Sequence, residues 1–148
     1  EVLAADPTNI AALAGLAKSY ISTGAIEQAK QTLAMVPESK RNDPAVRAVQ
    51  AAIDLAEQAN AVGPINELEQ KVAANPLDHQ ARFDLATALN AGGNRSDATQ
   101  QLLEIVKRDR KWNEDGARKQ LVQFFEAWGP NDEATVEGRK RLSIILFS

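Results

Sequence analysis

The chain has 148 residues, 44% apolar and 25% charged, with a net charge of −3. These are the proportions of an ordinary globular domain, long enough for a continuous core. Cysteine is absent and His79 is the only histidine, so disulfide scaffolding, thiolate catalysis, a Cys-based zinc site and any multi-histidine metal centre are excluded within these residues.

The acidic balance gives no reason to expect a polyanionic partner. No apolar run approaches the ~20 residues of a membrane span, and no charged-then-apolar leader opens the sequence. The first residue is Glu1 and not Met, so the chain is expected to be a fragment of a longer protein.

Ala, Leu, Gln, Glu, Arg and Lys dominate, most of them strong helix formers, and strand-like alternation is missing. The expected class is all-α. Glu1–Ala5 reads as the tail of a helix, closed by Asp6-Pro7 because the residue before proline is pushed out of the helical region. A helix is expected from about Thr8 to Thr23, with Leu13, Leu16, Ala17 and Tyr20 on one stripe and Gly24 ending it in a left-handed conformation. A second helix, about Ile26 to Val36, turns Ile26, Ala29, Leu33 and Val36 inward and stops at Pro37. Asp43 is placed to N-cap the next helix, with Pro44 in its first turn and Val46, Val49, Ile53 and Leu55 on its apolar side.

Gly63-Pro64 restarts the chain as a shorter helix carrying Ile65, Leu68 and Val72, which ends at Asn75-Pro76. Another pair follows, from Asp78 to about Ala91 and from Ser96, as cap, to about Lys107. Beyond the polar run Arg108-Asp109-Arg110-Lys111, a helix from about Asn113 to Trp128 places Leu121, Phe124, Phe125 and Trp128 on one stripe, and Gly129-Pro130 stops it. A last amphipathic helix spans about Asp132 to Leu146.

Two stretches share one pattern. Pro7, Leu16, Gly24, Ala29 and Leu33 are matched by Pro76, Leu85, Gly93, Ala98 and Leu102, each 69 positions on (93 − 24 = 69). Half that interval is about 34 residues, the period of a tetratricopeptide helix–turn–helix repeat. The predicted architecture is a tetratricopeptide (TPR) helical solenoid of antiparallel helix pairs, a single domain over 1–148. Its repeats fall at about 8–37, a degenerate 44–75, and 78–109, with a terminal helix pair at about 113–147. Ala29 and Ala98 should face the partner helix of their own pairs, where a small side chain permits close approach.

The candidate sites are few. His79, beside Asp78 at a helix start, reads as an exposed or capping residue and not as a base or metal ligand. The cations Lys107, Arg108, Arg110 and Lys111 followed by Trp112 could contact phosphate and stack a base. A helix C-terminus complemented by cations explains them better in an acidic chain, with Trp112 packed where the loop folds back. Phe124, Phe125 and Trp128 read as core of the terminal pair and not as a pocket. Arg139, Lys140 and Arg141 read as a solvated face. The positions at which some tetratricopeptide domains clamp a peptide carboxylate with Lys, Asn and Arg are here Ala14, Lys18, about Gln50, Gln80 and Asp84. Only Lys18 fits, and Asp84 would repel a carboxylate.

The segment Asp78-His79-Gln80-Ala81-Arg82-Phe83-Asp84-Leu85-Ala86 is followed in order by Leu102 to Arg110, Ala117-Arg118-Lys119-Gln120-Leu121, Phe124-Phe125, Arg139-Lys140-Arg141-Leu142 and Leu146-Phe147. That order resembles the C-terminal helical domain of the YbbN/CnoX thioredoxin-like co-chaperones (chaperedoxins) of bacteria, and the first half is similar to the same family. The resemblance implies a non-catalytic, cytoplasmic holdase module of a stress response. It would bind unfolded client proteins and cooperate in protein folding with the bacterial chaperonin GroEL, without cofactor, nucleic acid or membrane. It also implies a preceding thioredoxin-like domain, absent from this chain, that protects client cysteines. The alternative reading is a peptide-binding scaffold or assembly adaptor unrelated to folding. An enzyme is not expected, because the residues for acid–base or metal chemistry are missing.

At the chain end, Leu142, Ile144, Ile145, Leu146 and Phe147 form a cluster too broad for a single docked stripe. Leu142 and Ile145 should close the edge of the array, since a terminal repeat must hide the face its missing neighbour would cover. Ile144 and Phe147, with Arg141 beside them, are the candidate partner-docking residues.

Overall fold

A computed structural model describes residues 9–148; the expected helix tail at 1–5 and its Asp6-Pro7 stop lie outside the described residues. Among the described residues there are eight α-helices and a single 3-10 turn, with no strand. Two compact units divide the chain between Glu57 and Gln58.

In the first unit, α1 (Ile10–Ser22) and α2 (Ile26–Ala34) form a helical hairpin, followed by the 3-10 turn Glu38–Lys40 and by α3 (Pro44–Ala61), within which the division falls. Asn9 caps α1, its Oδ1 accepting the Ala12 N–H at 3.0 Å. At the other end Gly24 takes φ +81°. The Gly24 N–H donates to the Ile21 carbonyl at 3.0 Å and the Ala25 N–H to the Tyr20 carbonyl at 2.8 Å, the paired bonds that satisfy orphan carbonyls at a left-handed stop. Leu13, Ala14 and Ala17 of α1 meet Ala29 and Leu33 of α2, Val36, and Val46, Val49 and Ile53 of α3 in one core. Leu16 and Tyr20 are only half-buried, because the buried stripe is centred on Ala14 and Ala17. Asp43 caps α3 as expected, accepting the Ala45 N–H at 2.9 Å.

In the second unit, α4 (Ile65–Ala74) packs on α5 (His79–Ala91), α5 on α6 (Arg95–Arg108), α6 on α7 (Trp112–Trp128), and α8 (Glu133–Leu146) on both α6 and α7. The α5–α6 hairpin reproduces α1–α2 bond for bond. Asp78 caps α5 by accepting the Ala81 N–H at 3.0 Å. Gly93 at φ +88° closes it, with Gly93 N–H to Asn90 carbonyl at 3.0 Å and Asn94 N–H to Leu89 carbonyl at 2.9 Å. Every one of these atoms stands 69 positions after its counterpart. Ala29 and Ala98 are both fully buried.

Three expectations are corrected. The cap of α6 is Asn94 and not Ser96: its Oδ1 accepts the Asp97 N–H at 3.2 Å while its amide donates to the Asp97 carboxylate at 2.8 Å. The expected apolar face of α4 is thin, with Leu68 buried but Ile65 and Val72 half-exposed. The helix expected from Asn113 starts later. Asn113, Glu114 and Asp115 take φ of 51°, 55° and 63°, a left-handed turn that costs about 1–2 kcal/mol per residue for L-amino acids. Regular right-handed helix begins at Gly116. The reversal lets Trp112 swing back onto α5, where its ring lies 5.7 Å from Phe83 and 6.0 Å from His79.

Candidate interaction surface

The second unit is bound together by polar groups that leave its terminal edge partly uncovered. Arg82 of α5 is buried and donates to the Gln101 side chain and to the Pro76 carbonyl, both at 2.9 Å. It thereby ties the turn before α5 to α6. Burial pushes its guanidinium below the ordinary arginine range, opposed by the Glu104 carboxylate and reinforced by Arg108. Gln120 of α7, buried, donates to Gln58 at 2.7 Å and to the Thr87 hydroxyl at 3.2 Å. Trp128 donates its indole N–H to Asn90 at 2.8 Å, stacks on Phe124 at 5.3 Å and lies beneath the Arg95 guanidinium. Phe124 and Phe125 are buried. The aromatic stripe is core, as the spacing predicts.

Helix α8 presents its faces unequally. Leu142 is buried and Ile145 half-buried, whereas Ile144 is 61% and Phe147 84% exposed. Arg141, half-buried, donates to Gln100 of α6, and Arg110 donates to the Ile145 carbonyl at 3.0 Å. A cation from the loop after α6 therefore meets the carbonyl end of α8, where a positive charge complements the helix dipole. The cationic run is thus dispersed: Arg108 pairs with Glu104 within α6, holding that carboxyl below the ordinary glutamate range, and Arg110 serves α8. Arg139 is not simply solvated, since its guanidinium lies 6.0 Å over the Phe125 ring.

His79 is a further correction. Asp78 makes the cap, and His79 is half-buried edge-on against Trp112 with its Nδ1 shut away from any partner. Of the carboxylate-clamp positions, Ala14 is buried, while Gln50 and Gln80 are exposed and donate to Asp54 and Asp84 on their own helices at 2.9 and 2.8 Å. Ala14 cannot touch a peptide, and the two glutamines are each engaged by an acid.

Sequence reasoning missed Arg82, Gln120 and the Arg110 contact to α8. Each depends on a partner at least 19 residues away except the Arg82–Pro76 bond, and no local pattern marks such pairs.

Paired helices closed by repeated left-handed stops, with a buried small residue at each hairpin, define a helical-repeat protein of the protein-binding kind. Tetratricopeptide-repeat models match residues 1–53 and 58–147. The chain belongs to the tetratricopeptide-repeat family, whose members act as scaffolds for protein–protein interaction. No curated protein matches it. Among the described residues, no helix is long and apolar enough to cross a membrane.

Proposed function

We propose that this chain is the non-catalytic client-holding module of a thioredoxin-like co-chaperone, which binds segments of unfolding proteins in the cytoplasm and passes them to the bacterial chaperonin. The observation that carries the reading is the uncovered apolar pair at the end of α8, Ile144 and Phe147. Residues three apart on a helix are surface neighbours, and a contiguous exposed apolar patch rimmed by polar groups marks a docking surface. The sequence order from Asp78 to Arg118 supports the family, and a chaperonin accepts amphipathic segments through a helix-in-groove mode. Thiol chemistry has no place in these residues, which contain no cysteine. Any redox protection would reside in a preceding thioredoxin-like domain.

The test is light scattering from a heat-denatured client with and without the chain, paired with chaperonin pull-down of the chain and of its Phe147→Ser and 144–148 deletion variants. Suppressed scattering is expected, with loss of chaperonin capture in both variants and an unchanged melting temperature in Phe147→Ser, whose side chain is exposed. Absence of suppression overturns the holding role, and lost stability with intact capture overturns the docking role of Ile144 and Phe147.

A further inference from the structure

Between α6 and the last turns of α8 runs an open cleft of about 640 Å³, within the size range of ligand-binding clefts. Its floor is apolar, built from Leu103 and Val106, both buried, with Ile144 and Ile145 forming the opposite wall. Its rim is cationic. Lys107, Arg110 and Arg141 all line it, against the single side-chain carboxylate of Glu104, which Arg108 already engages. A chain of net charge −3 thus gathers three cations around one apolar trough.

We propose that this cleft binds an acidic peptide segment of a partner protein, one in which carboxylates alternate with branched apolar side chains. Charge complementarity names the occupant. Carboxylates would meet Lys107, Arg110 and Arg141 while the intervening apolar groups settle against Ile144 and Ile145, the accessible apolar wall of the cleft. Two of the three cations are already held in position, Arg110 by the Ile145 carbonyl and Arg141 by Gln100, so little side-chain freedom is lost on binding. A guanidinium carries five N–H donors, and one protein acceptor leaves most of the fork for a carboxylate. The lining has no aromatic residue, which removes the stacking platform that a single-stranded nucleic acid would use. The cleft shares Ile144 and Arg141 with the patch assigned above to the chaperonin, and Phe147 alone of that patch lies outside it.

The experiment is fluorescence anisotropy of a labelled peptide alternating Glu with Leu and Ile, titrated with the full chain. Saturable binding is expected, weakened by added salt as screened charges require. Lys107→Glu, an exposed position whose variant should keep the wild-type far-ultraviolet circular dichroism, should bind about tenfold more weakly. The same variant should gain affinity for the peptide with Lys in place of Glu, and should suppress client aggregation as the wild type does. Phe147→Ser should leave peptide binding unchanged. Equal binding of the acidic and basic peptides by the wild type, or an unaltered affinity in Lys107→Glu, overturns the proposal. So does displacement of the peptide by a single-stranded oligonucleotide, or self-association that buries the cleft.

Discussion

Replacing Gly138 by Ala should destabilise the second unit even though alanine is the better helix former. Gly138 lies inside α8 and is buried. A Cβ at this position would stand 2.6 Å from Cε1 and 2.8 Å from Cζ of Phe125, and 3.3 Å from Cγ2 of Thr99, where carbon atoms settle at about 3.5–4.0 Å. The ring has little room to yield. It is 3% exposed, lies 6.1 Å from the Trp128 ring and is covered by the Arg139 guanidinium.

Overpacking of this kind costs about 1–3 kcal/mol, and the shortness of the contact puts it at the upper end. The helix-propensity gain offsets about 1 kcal/mol. The net expectation is a loss of about 2 kcal/mol, which for a unit of this size lowers the melting temperature by on the order of 10 °C. Both tryptophans lie in α7, so their fluorescence in urea reports this unit. Gly15→Ala is the control: it lies within α1, exposed, and its Cβ would meet nothing within 4 Å. Far-ultraviolet circular dichroism should show Gly15→Ala more stable by about 0.5–1 kcal/mol. A Gly138→Ala protein as stable as the wild type would refute the argument that this glycine is held by the Phe125 ring.

Ala98→Leu should cost about 1–3 kcal/mol in the same fluorescence assay, because its site on α6 is fully buried and cannot take three more carbons without displacing its neighbours; an unchanged midpoint would count against the repeat alignment. Thr135, fully buried, has a hydroxyl with no hydrogen-bond partner, so Thr135→Val should be neutral or raise stability by up to about 1 kcal/mol, and a marked loss would mean the hydroxyl is satisfied after all. Glu104 titrates below its ordinary value of 4.5, chiefly through its hydrogen bond from Arg108, so its contribution is present above that pH and is lost as pH falls through the lowered folded-state value. The pair is partly exposed and screened, so Glu104→Gln should flatten the acid limb of a stability–pH curve by only a few tenths of a kcal/mol.

What could be read from the sequence was local. Both left-handed stops and the buried alanines depend on residues within one hairpin, and glycine at such a stop is dictated by sterics. The Asn94 cap was within reach too, since Asn94 and Asp97 stand three apart, the spacing at which a cap and a side chain of the first turn can bond reciprocally. The reversal at 113–115 was hidden by the apolar stripe that follows it, although Asn and Asp just before Gly116 are types that tolerate positive φ. Gly138 carried no local mark. Its reason is a phenylalanine on another helix, and only packing brings the two together. The cleft was equally invisible, because Lys107 and Ile144 are separated by a whole helix and two turns.

The cationic run after α6 joins the fold to its proposed uses. In sequence it looks like one block of charge. In the structure, Arg108 turns back to Glu104 and Arg110 reaches forward to the Ile145 carbonyl in the last turn of α8, while Arg141 returns the contact from α8 to Gln100. Polar contacts thus help to fasten the end of α8 to α6. Apolar burial at that end comes from Leu142 and from parts of Ile145 and Leu146. Fastening by arginine leaves Phe147 outside and Ile144 as an exposed wall of a trough whose rim includes Arg110 and Arg141.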